Sequence, residues 1–309
     1  MYRYAAYGLE IQSSIQLPEF PRSETTQPAD AVFRQGAVER VPESVPSVGR
    51  RRIEAEPGRC RFSYDGLGSF LVEDGDRIVF DAAAELKEGD SPRKLIRRLF
   101  ANELICMLVH QRGELVLHAS AVAINDEAAI FLGPKGAGKS TTAVAFHEQG
   151  YPVLEDDLVG IRFDESGQPV VVPGIPQVRL LPDAIDGLAL EGTTQPEQEG
   201  DAEKRYKTVD TVQEPKPLTR CYFLETGPEI AFEPVPAQNR VLQVIAQTYT
   251  SGLLAKTDTV ADNFELCTAI ASASSFATLT RPQDHTQLPA VIDAVVDHMA
   301  PSAQKNSID

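Results

Sequence analysis

The residues best placed to do chemistry form one short run, Gly133-Pro134-Lys135-Gly136-Ala137-Gly138-Lys139-Ser140, followed by Thr141. The spacing fits G-x-x-x-x-G-K-[ST], in which glycines let backbone N–H groups close around phosphate oxygens. The lysine of such a loop bridges β- and γ-phosphates, and its serine hydroxyl ligates magnesium. The apolar run Ala129-Ile130-Phe131-Leu132 precedes the loop, and a helix is expected to open at Ser140, presenting its positive end to the same anion. The run therefore predicts a site for a nucleoside triphosphate with magnesium.

Two carboxylates come next. Asp156 and Asp157 end the strand expected after the loop's helix. If that strand runs parallel to the one entering the loop, both arrive near the phosphates. There one carboxylate can hold magnesium and the other can accept a proton from an attacking hydroxyl. Asp156 is the expected base, and Ser140 with Asp157 the expected metal ligands. His118, on the strand before the loop strand, is placed to orient the base or touch phosphate. Arg179, leaving a strand into a rigid Pro173–Arg179 loop, is a candidate for neutralising the transferred phosphate. Lys204 and Arg205 are candidate lid cations. Ala255-Lys256-Thr257-Asp258 superficially resembles the guanine-reading N-K-x-D element, but alanine replaces the asparagine, so no GTPase assignment follows.

These residues need a scaffold. Residues 1–90 read as a β-rich domain: Tyr2–Tyr7 and Leu9–Ile11, then a proline-punctuated, loop-rich stretch. A meander follows through Arg61–Tyr64, Ser69–Val72 and Arg77–Phe80, with Asp65-Gly66 and Asp74-Gly75 at its turns. Ser91–Gln111 reads as a connecting helix (residues 91–112), with Ser91-Pro92 at its start and Leu95, Leu99, Leu104 and Leu108 as its apolar stripe. Residues 113–300 carry the loop. Leu115–Ile124 reads as one strand and Asn125-Asp126 as its hairpin turn. Further strands are expected at Ala128–Leu132, Tyr151–Leu154, Val159–Phe163, Val170–Val172, Leu218–Leu224 and Glu229–Glu233. Helices are expected at Ser140–Gln149, Asn239–Leu254, Asn263–Ala271 and Leu288–Met299. The polar segment 193–210 is expected to be a lid or insertion, and 301–309 a frayed tail.

Composition narrows the function classes. The 309 residues carry a formal charge of −16, which gives no basic surface to neutralise nucleic-acid phosphates. No apolar run reaches the ~20 residues of a membrane span, and the N-terminus lacks signal-peptide features, so a cytoplasmic protein is expected. The four cysteines are scattered without zinc spacing and are expected as separate reduced thiols. The acid excess fits either a salt-adapted or an ordinary acidic protein.

Taken together, His118-Ala119-Ser120-Ala121, Gly133–Ser140 and Glu155-Asp156-Asp157 resemble the catalytic core of HPr kinase/phosphorylase, a family related to phosphoenolpyruvate carboxykinase. Tyr7-Gly8-Leu9, the Pro173–Leu180 stretch, Lys204-Arg205 and Arg281-Pro282 are similar to HPr kinase-like proteins with a different N-terminal domain. The resemblance implies an α/β fold, a mixed-sheet P-loop kinase core with a β-rich N-terminal domain. It also implies ATP- and Mg²⁺-dependent phosphorylation of a serine hydroxyl. The acceptor would be a protein, peptide or small molecule, with homo-oligomerisation left open. By motif position Lys139 and Ser140 match the nucleotide and magnesium residues, Asp156 the base, Asp157 its neighbour and His118 the histidine ahead of the loop. Two departures stand out: Thr141 replaces the glutamate usual after the loop serine, and the glycine-rich signature of the HPr docking surface is not recognisable. The alternatives are a nucleotide-binding regulator without kinase activity and a decarboxylase-like enzyme, for which no metal-ligand cluster is visible.

Overall fold

The computed structural model describes residues 1–87, 90–193 and 204–300; the expected tail and most of the expected lid lie outside them. The chain is mixed α/β, built on two large sheets. Eight strands from residues 2–82 form the first. Tyr2–Ala6, Leu9–Ser13 and Ala31–Gln35 lie at one side, followed across the sheet by Arg77–Ala82, Gly68–Glu73, Arg59–Tyr64, Arg51–Glu56 and Ser47–Val48. The expected meander is there, turning at Asp74-Gly75 with φ of 53° and 67°, the left-handed pair that tight hairpins require. Ala31–Gln35, hidden among prolines, was expected as loop; it inserts between Leu9–Ser13 and Arg77–Ala82, parallel to both.

Ser91–Gln111 is helical, but Phe100–Leu104 winds as a π-helical turn between Ser91–Leu99 and Ile105–Gln111. The helix belongs to the core of the first sheet: the fully buried Phe100 ring stacks on Phe33 at 4.2 Å and lies 5.2 Å from Phe20.

The second sheet has nine strands, ordered Val153–Asp156, Ser120–Ile124, Glu127–Leu132, Lys216–Thr226, Pro169–Val172, Val159–Phe163 and Leu115–Leu117. Ser275–Arg281 pairs with Lys216–Thr226, and Ala231–Pro234 with Ser275–Arg281. Glu127–Leu132, Lys216–Thr226 and Ser275–Arg281 run parallel. Alternate residues of Glu127–Leu132 face opposite cores. Ala129 and Phe131 meet helices Lys139–Glu148 and Leu288–Met299, while Ile130 and Leu132 meet Ala237–Ile245 and Val260–Ala273. Helices thus cover both faces, as the apolar character of a central parallel strand demands.

Three expectations change here. Leu115–Ile124 is broken at His118-Ala119, because Leu115–Leu117 pairs with Val159–Ile161 whereas Ser120–Ile124 pairs with Glu127–Phe131 and Val153–Asp156. Asn239–Leu254 is not one helix: Ala237–Ile245 ends and the chain turns to bond along Val116–His118. Arg179 lies in a strand, Gln177–Leu180, paired with Arg205–Thr208 in a small ribbon, not in a loop. All four cysteines are free and buried. No helix among the described residues is long and apolar enough to cross a membrane.

Truncating a fully buried, stacked phenylalanine costs ~3–5 kcal/mol. Phe100→Ala is accordingly expected to lose stability of that order in urea unfolding. A loss below ~1 kcal/mol would show that the helix is not anchored through this ring.

Candidate active site

The Gly133–Ser140 loop leaves the carboxyl end of Glu127–Leu132 and opens the helix Lys139–Glu148, one residue earlier than expected. Gly138 caps that helix at φ 88°, a conformation glycine adopts without Cβ cost. The Arg281 guanidinium presses against it, with Nη2 only 2.1 Å from where a Cβ would stand. Arg281, 6% exposed at the end of Ser275–Arg281, donates to the Ala137 carbonyl at 3.2 Å and so braces the loop from beneath. Lys139 is itself buried, and its Nζ donates to the Gly133 carbonyl at 2.9 Å and to Pro134 at 3.4 Å. Burial and the Lys204 charge lower its pKa, while Asp157 and Asp156 oppose the shift. Lys135 is exposed, and Ser140 and Thr141 are half-buried on the helix's first turn.

Val153–Asp156 is antiparallel to Ser120–Ile124, which is antiparallel to Glu127–Leu132. It therefore runs in the same direction as the loop strand, one strand removed, and delivers Asp156 and Asp157 to the loop's end of the sheet. Asp156 is 6% exposed, and both oxygens are held: Oδ1 accepts from Ser120 Oγ at 2.5 Å and Oδ2 from the Arg179 N–H at 3.0 Å. The Ser140 hydroxyl is near enough to this carboxylate to favour its charged form. Burial raises the Asp156 pKa, and the Asp157 charge adds to the rise against these hydrogen bonds.

Asp157 sits just past the strand at φ 83°, a left-handed backbone that costs a non-glycine residue on the order of 1–3 kcal/mol and collects at functional sites. Its N–H donates to the Ala119 carbonyl at 2.9 Å. Its Oδ1 lies 2.9 Å from His118 Nε2, and its Oδ2 3.4 Å from Arg179 Nη1. Burial would raise the Asp157 pKa, but the His118 hydrogen bond and charge, then Arg179 and Lys204, outweigh it and leave the carboxyl below the usual aspartate range. The strand break at His118-Ala119 frees the imidazole for this contact, so His118 serves Asp157, not Asp156.

Several contributors stood in resembling motifs without a task assigned to them. Ser120 holds Asp156, and Arg281 braces the loop. Glu155 is 3% exposed, its Oε1 accepting from the Asp156 N–H at 2.9 Å and its Oε2 from Ile175 N–H at 2.6 Å. The ring of Tyr7, from the first sheet, packs against that carboxylate, and a Cβ on Gly174 would stand 1.7 Å from Glu155 Oε2 and 2.9 Å from Tyr7 Cζ. Tyr7 N–H donates to the Pro173 carbonyl at 2.8 Å. Lys204 stands close enough for its charge to act on both Lys139 and Asp157. Residues 194–203 of the expected lid lie outside the described residues.

The hydroxyl of Ser140 and the carboxylates of Asp156 and Asp157 are hard oxygen donors. That suits magnesium, which takes one or two carboxylates and fills its other positions with water and phosphate.

No protein-family model matches the chain, and neither does any curated protein. Among solved structures, an HPr(Ser) kinase/phosphatase from Coxiella burnetii is similar at 13% identity over 59% of this chain and 94% of that chain, with a TM-score of 0.32. A likeness of that degree establishes neither fold nor function.

Asp157 titrates below its unfolded value, so it stabilises the fold above about pH 4, and that contribution disappears as pH falls through the lowered native pKa. Urea unfolding of wild type and Asp157→Asn is expected to show a stability difference at pH 7 that shrinks as pH falls below about 4. A difference independent of pH would mean that His118 and Arg179 do not stabilise the charge.

Proposed function

We propose that this protein transfers the γ-phosphate of ATP, bound with Mg²⁺, to a hydroxyl group, the finer assignment being a serine hydroxyl. The observation that carries the reading is the meeting of two differently held aspartates with Lys139 and Ser140 at one end of the sheet. Sites of this kind work by positioning and electrostatics, with little covalent chemistry for the protein to do.

In this reading Lys139 exchanges its two loop carbonyls for β- and γ-phosphate oxygens, and backbone N–H groups of the Gly133–Ser140 loop line the phosphate path. Magnesium, when bound, neutralises phosphate charge and aligns the γ-phosphate. The two aspartates exchange the roles expected from motif position. Asp156 is the aspartate on which the Ser140 hydroxyl acts, so it falls to the metal. Its burial and locked oxygens leave it poorly placed to reach an acceptor. Asp157, whose side chain is 28% exposed, faces outward with His118 at 2.9 Å. It takes the acceptor proton, and the imidazole holds the carboxylate in place and disperses the charge. Arg179, on the other oxygen, steadies Asp157 and is close enough to the γ-phosphate side to offset developing charge. The absence of the usual glutamate at Thr141 leaves Asp156 as the carboxylate nearest Ser140, consistent with a forward kinase.

The two substitutions separate the roles. Asp157→Asn is expected to lower phosphotransfer by ~10²–10⁴-fold while ATP still binds. Asp156→Asn is expected to raise the magnesium concentration for half-maximal activity at least about tenfold, ~1.4 kcal/mol. Initial rates over a magnesium series decide it. The reverse pattern would return the base to Asp156, and near-normal turnover in both variants would sink the phosphotransfer reading.

A further inference from the structure

A second cavity, of about 550 Å³, lies where the first sheet meets the loop layer. Its walls are mainly apolar, with Val48, Ile53, Phe62, Met107 and Leu253 among them. That volume is in the range of small-molecule sites. The Gly133–Ala137 loop lines a different, more open cavity, of about 640 Å³, bounded by Gln243 and Gln247.

One short segment separates the two. Gln247 lines the loop cavity and Tyr249 lines the apolar one, while Thr248 between them points into the core at 4% exposure. The segment is clamped along the broken strand: His118 N–H donates to the Gln247 carbonyl at 2.8 Å, and Tyr249 N–H donates to the Val116 carbonyl at 2.9 Å. His118 is the residue that holds Asp157. Through His118, Asp157 is therefore tied to the segment that separates the two cavities. Burial and the neighbouring Cys106, Glu103 and Asp157 groups raise the Tyr249 phenol.

The polar groups of the cavity set its charge preference. Glu103, on the π-helical turn, is paired with Arg51 and accepts from the Tyr64 hydroxyl, so that pair adds no net charge. Lys256 is exposed at the lining and has no ion-pair partner among the described residues. The balance is an apolar chamber with one free cation in a chain of formal charge −16.

We propose that this cavity is the acceptor site, and that the acceptor is a hydroxyl compound with an apolar body and one carboxylate. The apolar body fills the chamber, the carboxylate meets Lys256, and the hydroxyl reaches over the divide to Asp157. The inference rests on the phosphotransfer reading. The acceptor oxygen bonds to the γ-phosphorus as the bond from that phosphorus to the β,γ-bridging oxygen breaks. The hydroxyl proton passes to Asp157, and ADP leaves with the electron pair.

N-acetyl-, N-hexanoyl- and N-decanoyl-serine test it, since each carries the hydroxyl and the carboxylate and only the apolar body grows. Calorimetry on the full chain without nucleotide is expected to show affinity rising up to about fourfold per methylene until the chamber is filled. Val48→Glu and Lys256→Glu, both at exposed positions and tolerable to the fold, should each weaken N-decanoyl-serine at least about tenfold and leave ATP affinity unchanged. With ATP and magnesium, kcat/KM for phosphate transfer should follow the same chain-length order. Affinity indifferent to acyl length, or unchanged in both variants, overturns the assignment even if N-acetyl-serine is phosphorylated. Chain-length-dependent binding with no phosphate transferred to any member would keep the cavity as a ligand site, but would overturn both its acceptor role and the phosphotransfer reading.

Discussion

Two buried acids, Glu155 and Asp156, end one strand and a third, the half-buried Asp157, follows it, and much of the architecture answers the cost of keeping them there. An isolated carboxylate taken out of water costs many kcal/mol unless hydrogen bonds or cations replace the solvent. Each of the three is satisfied differently. Glu155 is held by backbone N–H groups of Asp156 and Ile175 and packed by Tyr7. Asp156 is held by Ser120, Ser140 and a backbone N–H of the Gln177–Leu180 strand. Asp157 has the charged partners, His118 and Arg179. The result is two adjacent aspartates whose pKa values are driven apart, Asp156 upward and Asp157 downward, as paired carboxylates with different tasks require.

Those partners come from widely separated parts of the chain, which ties the first sheet to the second. The Tyr7-Gly8 turn reaches across to Pro173 and Glu155, and Gly174 has no side chain because the Glu155 carboxylate and the Tyr7 ring occupy that space. The break at His118-Ala119 serves the same end: an unbroken strand would alternate sides through residue 118 and carry the imidazole elsewhere. The Gly133–Ser140 loop is likewise supported from beneath, by Arg281, and tied across its mouth by Lys139. Both cations are buried, with loop carbonyls as their partners.

How much of this was legible in the sequence depended on the range of the interactions. The glycine loop, the Asn125-Asp126 and Asp74-Gly75 turns and the terminal helix are local features, and their residues state them directly. His118, Asp156, Asp157 and Arg179 could be nominated and do converge, yet which aspartate His118 holds depends on where a strand breaks. That break is set by pairing with Val159–Ile161, far along the chain. Ala31–Gln35 was hidden by the prolines around it, and Ser275–Arg281 by its small and hydroxyl-bearing residues, although both become central once paired. Tyr7 and Glu155 were visible only as members of resembling motifs with no task assigned to them, because their role is defined by mutual contact across two sheets. The π-helical turn at Phe100–Leu104 was similarly invisible, since its sequence continues an ordinary helical stripe.

The account stands on Lys139 releasing its loop carbonyls to hold nucleotide phosphate. Calorimetric titration of the full chain with ATP, with and without magnesium, in wild type and Lys139→Ala, tests this most directly. Magnesium-dependent binding weakened at least about tenfold by the substitution, ~1.4 kcal/mol, with an unchanged unfolding midpoint at matched pH, is the predicted result. ATP affinity unchanged by the loss of the lysine in a folded protein, or no ATP binding by the wild type, would contradict it.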